Sequence, residues 1–326
     1  MGISTPLISV FIVYCYKSDL HEACFIRLWS EHFCLCRYAV VTGANKGIGL
    51  EVCRQLASQG VVVVLTSRNE KRGLEAIDEL RKSGLSSEIL EYHQLDVTDP
   101  TSVASLADFI KVKFGKLDIL VNNAGMLGAT ADIDALKAAG FFDMPRPTEK
   151  QTLSYADMLK QTYELAEECF ETNYYGVKRN VEALLPLLQI SDSPRIINVS
   201  SGAGKLSNIP NEQIRGVLSN DESLTEERVD EILKEFLRDF KEGSIAEKGW
   251  PVKLPAYVVS KAALNAYTRI QSKIYPSIII NSLCPGFVKT SMNGHTGNLT
   301  VEEGAARVLL LAVVPHGSPS GLFYTD

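Results

Sequence analysis

The chain has 326 residues, of which 45% are hydrophobic and 22% charged, with a formal net charge of −6. This is the mixture of a soluble globular protein, long enough for two domains although single α/β domains reach this length. Without a concentrated basic block, nucleic acid and anionic membrane surfaces are excluded as general partners. Residues 1–36 differ in character from the rest of the chain. The apolar stretch 6–16 is too short to span a bilayer and lacks the basic start and small-residue cleavage site of a signal peptide. The seven cysteines, Cys15, Cys24, Cys34, Cys36, Cys53, Cys169 and Cys284, are odd in number and irregularly spaced. That argues against a disulfide framework and for reduced thiols in the cytosol. His32, Cys34 and Cys36 are followed by no second ligand pair at finger spacing, so no zinc site is expected. The segment reads as an extension outside the core fold or as a start placed too far upstream, with targeting as the lesser reading.

From residue 38 apolar runs alternate with amphipathic stretches. A β-rich run over 38–42 leads through a glycine turn into a helix over 47–58, with Ile48, Val52 and Leu56 at helical spacing. Gly60 closes the helix, and the β-branched run 61–66 reads as a strand buried on both faces. Further strands are expected over 89–95 and 117–121, with a helix over 100–114 between them, and then over 195–200 and 278–283. A helix over 301–314 and a short strand over 321–324 complete the pattern. This alternation predicts an α/β fold, a doubly wound parallel sheet in one domain spanning 37–326.

Two stretches, 126–161 and about 202–250, break the rhythm. In the second, Val229, Ile232, Leu233, Phe236, Leu237 and Phe240 make one apolar helix face opposite Glu226, Glu227, Asp230, Glu231 and Lys234. Ser223 with Glu226 predicts a capping box, and Gly243 a stop. This helical insert should either pack on its own domain or cover an active-site mouth or an assembly surface.

The turn Thr42-Gly43-Ala44-Asn45-Lys46-Gly47-Ile48-Gly49 lies between a strand and a helix. Glycines there permit a tight turn and close backbone approach to a pyrophosphate, and the helix start offers free N–H groups. A P-loop would need Gly-Lys-Ser/Thr, which is absent. The next strand ends Thr66-Ser67-Arg68 without a carboxylate to bind a ribose 2′-hydroxyl. A guanidinium can grip a 2′-phosphate, and Lys46 adds a second cation, so NADP(H) is expected in preference to NAD(H). The alternative is two solvated surface charges.

Tyr257 and Lys261 stand one helical turn apart in Tyr257-Val258-Val259-Ser260-Lys261. A free phenol has a pKa of about 10, and a nearby ammonium lowers it, making Tyr257 a candidate proton donor to a carbonyl receiving hydride. Such spacing also occurs in ordinary surface pairs. Ser200-Ser201 ends a strand, where a hydroxyl can bind a developing oxyanion or simply cap its loop. Asn122-Asn123-Ala124-Gly125 ends the strand before it; its amides can bind backbone or ribose groups, or form an Asx turn. In Pro285-Gly286-Phe287-Val288-Lys289-Thr290 the backbone and the Thr290 hydroxyl can hold a nicotinamide amide, or the proline can merely stiffen the loop.

Together these motifs resemble the short-chain dehydrogenase/reductase family. The matching pieces are Thr42-Gly43-x-x-x-Gly47-x-Gly49, Asn122-Asn123-Ala124-Gly125, Asn173, Ser201, Tyr257-x-x-x-Lys261 and Pro285-Gly286, in the family's order from residue 38 onward. The runs 41–51 and 257–263 look most like the plant salutaridine and menthone (neomenthol-forming) reductase group, and carbonyl reductases are similar in outline. The resemblance implies a Rossmann-type fold with Tyr257 as proton donor and Lys261 lowering its pKa and holding the nicotinamide ribose. It also implies that Ser201 orients the carbonyl, that Asn173 supports a water relay to Lys261, and that Asp96, beside Val97, contacts adenine. The cofactor would be held by Gly43, Asn45, Lys46, Gly47, Ile48, Gly49, Arg68, Asp96, Val97, Asn123, Ala124, Gly125, Tyr257, Lys261, Pro285, Gly286, Val288 and Thr290.

Ser201 precedes Tyr257 by 56 positions (257 − 201), far more than in ordinary members. The long-insert reductases share this, which implies a monomer whose insert covers the usual assembly surface. The expectation is a cytoplasmic NADPH-dependent reductase of a ketone on a small hydrophobic metabolite, terpenoid or alkaloid-like, reversible with NADP⁺, acting without nucleic acid, membrane or metal. The alternative is a catalytically silent NADP(H)-binding protein.

Overall fold

The computed structural model describes residues 37–131, Ala135 and 159–325. The expected extension over 1–36, with His32, Cys34 and Cys36, and much of the 126–161 stretch lie outside the described residues. The chain runs β1 (Tyr38–Val41), α1 (Gly47–Ser58), β2 (Val62–Ser67), α2 (Glu70–Lys82), β3 (Leu90–Gln94), α3 (Pro100–Phe114) and β4 (Ile119–Asn122). A short antiparallel pair, β5 (Thr130–Ala131) and β6 (Leu159–Lys160), precedes α4 (Tyr163–Phe170), a π-helical turn (Glu171–Tyr175) and α5 (Gly176–Leu188). Strand β7 (Arg195–Val199) leads into the insert helices α6 (Glu212–Ser219) and α7 (Glu226–Lys241). The chain then continues as α8 (Pro255–Ile274), β8 (Ile279–Leu283), α9 (Val301–Ala312) and β9 (Phe323–Tyr324).

Seven strands pair in parallel in the order β3-β2-β1-β4-β7-β8-β9. The period-2 geometry of a strand sends alternate side chains to opposite faces. Val41, Leu65, Val121 and Ile197 therefore join a core shared with α1, α2 and α9. Val40, Val64, Leu120 and Ile196 join the other core, with α3, α4, α5, α7 and α8. Strand order reverses between β1 and β4, and a sheet of this kind opens its binding crevice beyond the carboxyl ends of those strands.

Local signals set the helix ends. The Asn69 side chain caps α2 by accepting the Arg72 N–H at 3.0 Å. Asp99 caps α3, Pro100 opens it, and Gly115 ends it at φ 74°. The expected Ser223–Glu226 box does not form. Helix α7 starts at Glu226, so the capping position is Thr225, whose hydroxyl accepts the Arg228 N–H at 3.4 Å. Ser223 instead donates its N–H to Asn220. Gly243 stands in the left-handed region just past the helix, as its stop role requires.

The apolar face of α7 packs on its own domain. Phe236 meets Phe170 and Trp250 edge-on, at centroid distances of 5.3 and 5.2 Å. Lys178 on α5 reaches Glu226 at 2.9 Å and Asp230 at 3.2 Å. The fully buried Asp239 accepts from the Trp250 indole at 2.9 Å and from Lys248 Nζ at 2.6 Å. Asp239→Ala would leave that indole N–H buried without an acceptor. It should destabilise the fold by about 2–4 kcal/mol, seen as a lower urea midpoint at unchanged slope.

Candidate active site

The glycine turn is shaped by what lies against it. Gly43 and Gly47 adopt φ 61° and 57°. A Cβ on Gly43 would stand 2.9 Å from the Ala124 Cα, and one on Gly49 2.4 Å from the Asn123 Nδ2. The Thr42 hydroxyl accepts the N–H groups of Asn123 and Ala124, at 2.9 and 3.0 Å. The Asn123 amide donates to the carbonyls of Thr42 and Gly43, at 2.8 and 3.1 Å. Of the two uses expected for this amide, backbone or ribose, the backbone takes it. Asn123 holds the turn in shape. No side chain caps α1 and its first turn carries no acid, so its N–H groups and dipole face the crevice.

Lys46 is exposed beside this turn, as is Arg68 at the tip of β2. Arg68 makes a long, solvent-exposed pair with Glu168, at 3.8 Å. The Leu95 N–H donates to the Ser67 carbonyl at 3.0 Å, which sets the ends of β2 and β3 side by side, one leading to Arg68 and the other to Asp96. Asp96 accepts from the Thr98 N–H and hydroxyl, at 3.0 and 2.7 Å. Val97 is buried against Gly176.

Tyr257 and Lys261 share α8, with the ammonium 5.8 Å from the phenol ring centroid. Lys261 Nζ donates to the Val199 carbonyl at the end of β7, at 2.8 Å. The Ser201 hydroxyl accepts the Ala203 N–H at 3.1 Å and lies close enough to the Tyr257 phenol to draw its pKa down. Ser200, by contrast, is buried and turns its hydroxyl to the Lys261 carbonyl at 3.5 Å. Asn173 sits in the π-helical turn, fully buried. Its Oδ1 accepts the Met126 N–H at 2.9 Å, and its Nδ2 donates to the Met126 carbonyl at 2.9 Å and the Ser260 hydroxyl at 3.0 Å. A Cβ on Gly125 would lie 3.1 Å from the Asn173 Oδ1 and 3.6 Å from Lys261 Nζ. Gly125 thus leaves open the space between these two side chains.

Burial pushes the Tyr257 phenol up to about 12, against a downward pull from the Ser201 side chain. Burial also brings Lys261 down to about 8. Desolvation is the largest cause of both shifts, and the ammonium donates to the Val199 carbonyl.

Beyond β8, Gly286 has φ 91° and no room for a Cβ, which would stand 2.3 Å from the Leu299 side chain. Val288 points inward, 4% exposed, and bridges in parallel to Leu299. Thr290 comes within 3.5 Å of the Cβ position of Gly47. Beside them lies a cavity of about 470 Å³, lined by Lys46, Gly47, Lys289, Thr290 and His295 and also by Glu51, Glu79 and Glu302.

Residues 37–212 match the short chain dehydrogenase family. The chain belongs to that family. Short-chain dehydrogenase/reductase 1 of Saponaria officinalis is 68% identical, with 89% of this chain and 94% of that protein covered. The (+)-neomenthol dehydrogenase of Arabidopsis thaliana is 55% identical, over 89% of this chain and 96% of its own. The structure of salutaridine reductase from Papaver somniferum superposes with a TM-score of 0.81 at 50% identity, covering 88% of this chain and 99% of that one.

In this short-chain dehydrogenase Asn173 and Lys261 approach each other around Gly125, and Tyr257 stands one helical turn from Lys261. The glycine turn, Asn123, Ala124 and Thr290 converge on the start of α1. Ser260 and Thr42 carry no role in the sequence reading, although both hold site residues in place. Ser260 lies three residues after Tyr257, on one helix face with it, and that spacing was the available signal. Among the described residues no cluster of three or more His, Cys, Asp or Glu side chains could hold a metal.

Proposed function

We propose that this chain reduces the ketone of a small hydrophobic metabolite, terpenoid or alkaloid-like, to an alcohol with NADPH, and runs in reverse with NADP⁺. The carrying observation is the placement of Tyr257 and Lys261 one turn apart on α8, with the ammonium 5.8 Å from the phenol ring and held by the Val199 carbonyl at the end of β7. NADPH supplies the hydride when bound. Ser201 would hold the carbonyl oxygen, and Tyr257 would give that oxygen its proton. Lys261 would bind the nicotinamide ribose and, through a water supported by Asn173, return a proton to the phenol. The glycine turn and the open start of α1 suit a diphosphate, with Asp96 and Val97 at the adenine and Pro285, Gly286, Val288 and Thr290 at the nicotinamide.

The 2′-phosphate preference rests on Arg68 and Lys46, both exposed, and on the absence of a carboxylate at the tip of β2. Exposed Phe287 and Met292, either side of Thr290, suit an apolar substrate, and so do the names of the neomenthol and salutaridine relatives. Residues 37–326 would form the domain, with 1–36 an extension outside it. Helix α7 lies over α4, α5 and α8, which favours a monomer. Among the described residues no helix is long and apolar enough to cross a membrane. A cytoplasmic location is part of this reading, on the basis of the odd number and irregular spacing of the cysteines, with Cys53, Cys169 and Cys284 free among the described residues.

The test is NADPH absorbance followed against a panel of monoterpene, steroid and alkaloid ketones, with product stereochemistry determined. Oxidation with at least one terpenoid or alkaloid ketone is expected. NADPH binding without turnover on any member of the panel would favour a silent cofactor-binding protein instead.

A further inference from the structure

The lobe between Thr290 and Gly297 is organised by one side chain that no role has yet been given. Asn293 Oδ1 accepts the Thr290 N–H at 3.2 Å, and Asn293 Nδ2 donates to the Val288 carbonyl at 2.9 Å. The same residue's N–H reaches the Thr290 carbonyl at 3.2 Å, and its carbonyl accepts the Thr296 hydroxyl at 2.7 Å. The chain then reverses through Gly294 and His295, at φ 59° and 61°. His295 has a Cβ, so this left-handed conformation is imposed by its surroundings. One cause is visible: its N–H donates to the Thr290 carbonyl at 2.8 Å.

The base of the lobe is closed. Gly297 lies where a Cβ would stand 2.3 Å from the Val288 backbone. The Lys289 N–H donates to the Leu299 carbonyl at 2.9 Å, and the Leu299 N–H to the Phe287 carbonyl at 3.0 Å. Thr290 is the residue of this lobe set against Gly47, its methyl 3.5 Å from the Cβ position there, and Asn293 is the side chain bonded to the Thr290 backbone.

The geometry points to Asn293 as a positioning residue for the cofactor. Through its two amide hydrogen bonds it sets Thr290 against Gly47 and so governs how firmly the diphosphate–nicotinamide half of NADP(H) is held. This rests on the reading of Thr290 as a cofactor contact. Asn293 need touch no reacting atom.

The experiment compares wild type, Asn293→Ala and Asn293→Gln by fluorescence titration with NADPH and by competition with adenosine 2′,5′-bisphosphate, which carries the 2′-phosphate but neither diphosphate nor nicotinamide. Asn293→Ala should weaken NADPH binding about tenfold, the effect of losing a well-aligned hydrogen bond. Binding of the bisphosphate should stay at the wild-type value, and kcat at saturating NADPH should fall far less than affinity. Asn293→Gln, which keeps both amide groups at a position where glutamine also reaches back to the cap, should recover much of the affinity. Equal NADPH binding by wild type and Asn293→Ala would overturn the inference. So would equal weakening of both ligands, which would mark a general structural loss. A wild-type protein that binds the bisphosphate but not NADPH would remove the Thr290 contact itself and this inference with it.

Discussion

Tyr257→Phe is expected to lower kcat for ketone reduction by about 10²- to 10⁴-fold, the usual contribution of a positioned general acid, and to leave NADPH affinity nearly unchanged. The substitution removes one oxygen and keeps the ring. Lys261 stays on the Val199 carbonyl and Asn173 stays in its π-helical turn, since neither hydrogen bond involves the phenol. What is lost is the proton that Ser201 helps aim. The pH profile carries a second signature. With its pKa raised to about 12, the phenol is protonated through the neutral range and ready to donate. Lys261, brought down to about 8, is charged below that value and neutral above it. Reduction, which draws its relayed proton from charged Lys261, should therefore hold steady below pH 8 and decline as pH rises through it, while alcohol oxidation, which needs a neutral Lys261 to take the proton relayed from the phenol, gains. Full activity in Tyr257→Phe would refute the acid assignment.

Arg68→Asp should invert the cofactor preference. The guanidinium is largely exposed, and its partner Glu168 stands 3.8 Å away in solvent, so that pair contributes little. A 2′-phosphate offers paired, charge-assisted hydrogen bonds instead. Losing them should cost kcat/KM for NADPH about 10- to 100-fold, the worth of hydrogen bonds to a charged group. The new carboxylate repels the phosphate and can accept a ribose 2′-hydroxyl, so kcat/KM for NADH should rise. The check is the ratio of the two kcat/KM values; an unchanged ratio would mean that Arg68 is only a solvated surface charge.

Much of the scaffold was legible because its signals are local. The β-branched run that became β2 and the helical stretch over 100–114 that became α3 depend on near neighbours, and the structure matches them to within a residue or two. The choice of Ser201 over Ser200 came from family resemblance; in the structure the Ser200 hydroxyl turns to the Lys261 carbonyl, while the Ser201 hydroxyl accepts the Ala203 N–H. Other features depend on contacts distant in sequence. The five-residue π-helical turn at Asn173 has no signature in a 3.6-residue periodicity. The use of the Asn123 amide on the glycine turn needs two strands brought together. The solvent exclusion around the Lys261 ammonium is set by contacts distant in sequence, which no local pattern encodes. The cap of α7 failed by two residues, because Thr225 and Ser223 are chemically alike and only the first helical residue decides between them.

Helix α7, held to α5 by Lys178 and closed at its far end by Asp239 and Trp250, has one further consequence. A surface sealed by a segment of the same polypeptide is sealed at every dilution, because the covering piece is tethered and its local concentration never falls. A neighbour that had to be recruited from solution would be lost as the protein became scarce. In this fold the shelter over α4, α5 and α8 is inherited with each copy of the chain, independent of how many others are nearby.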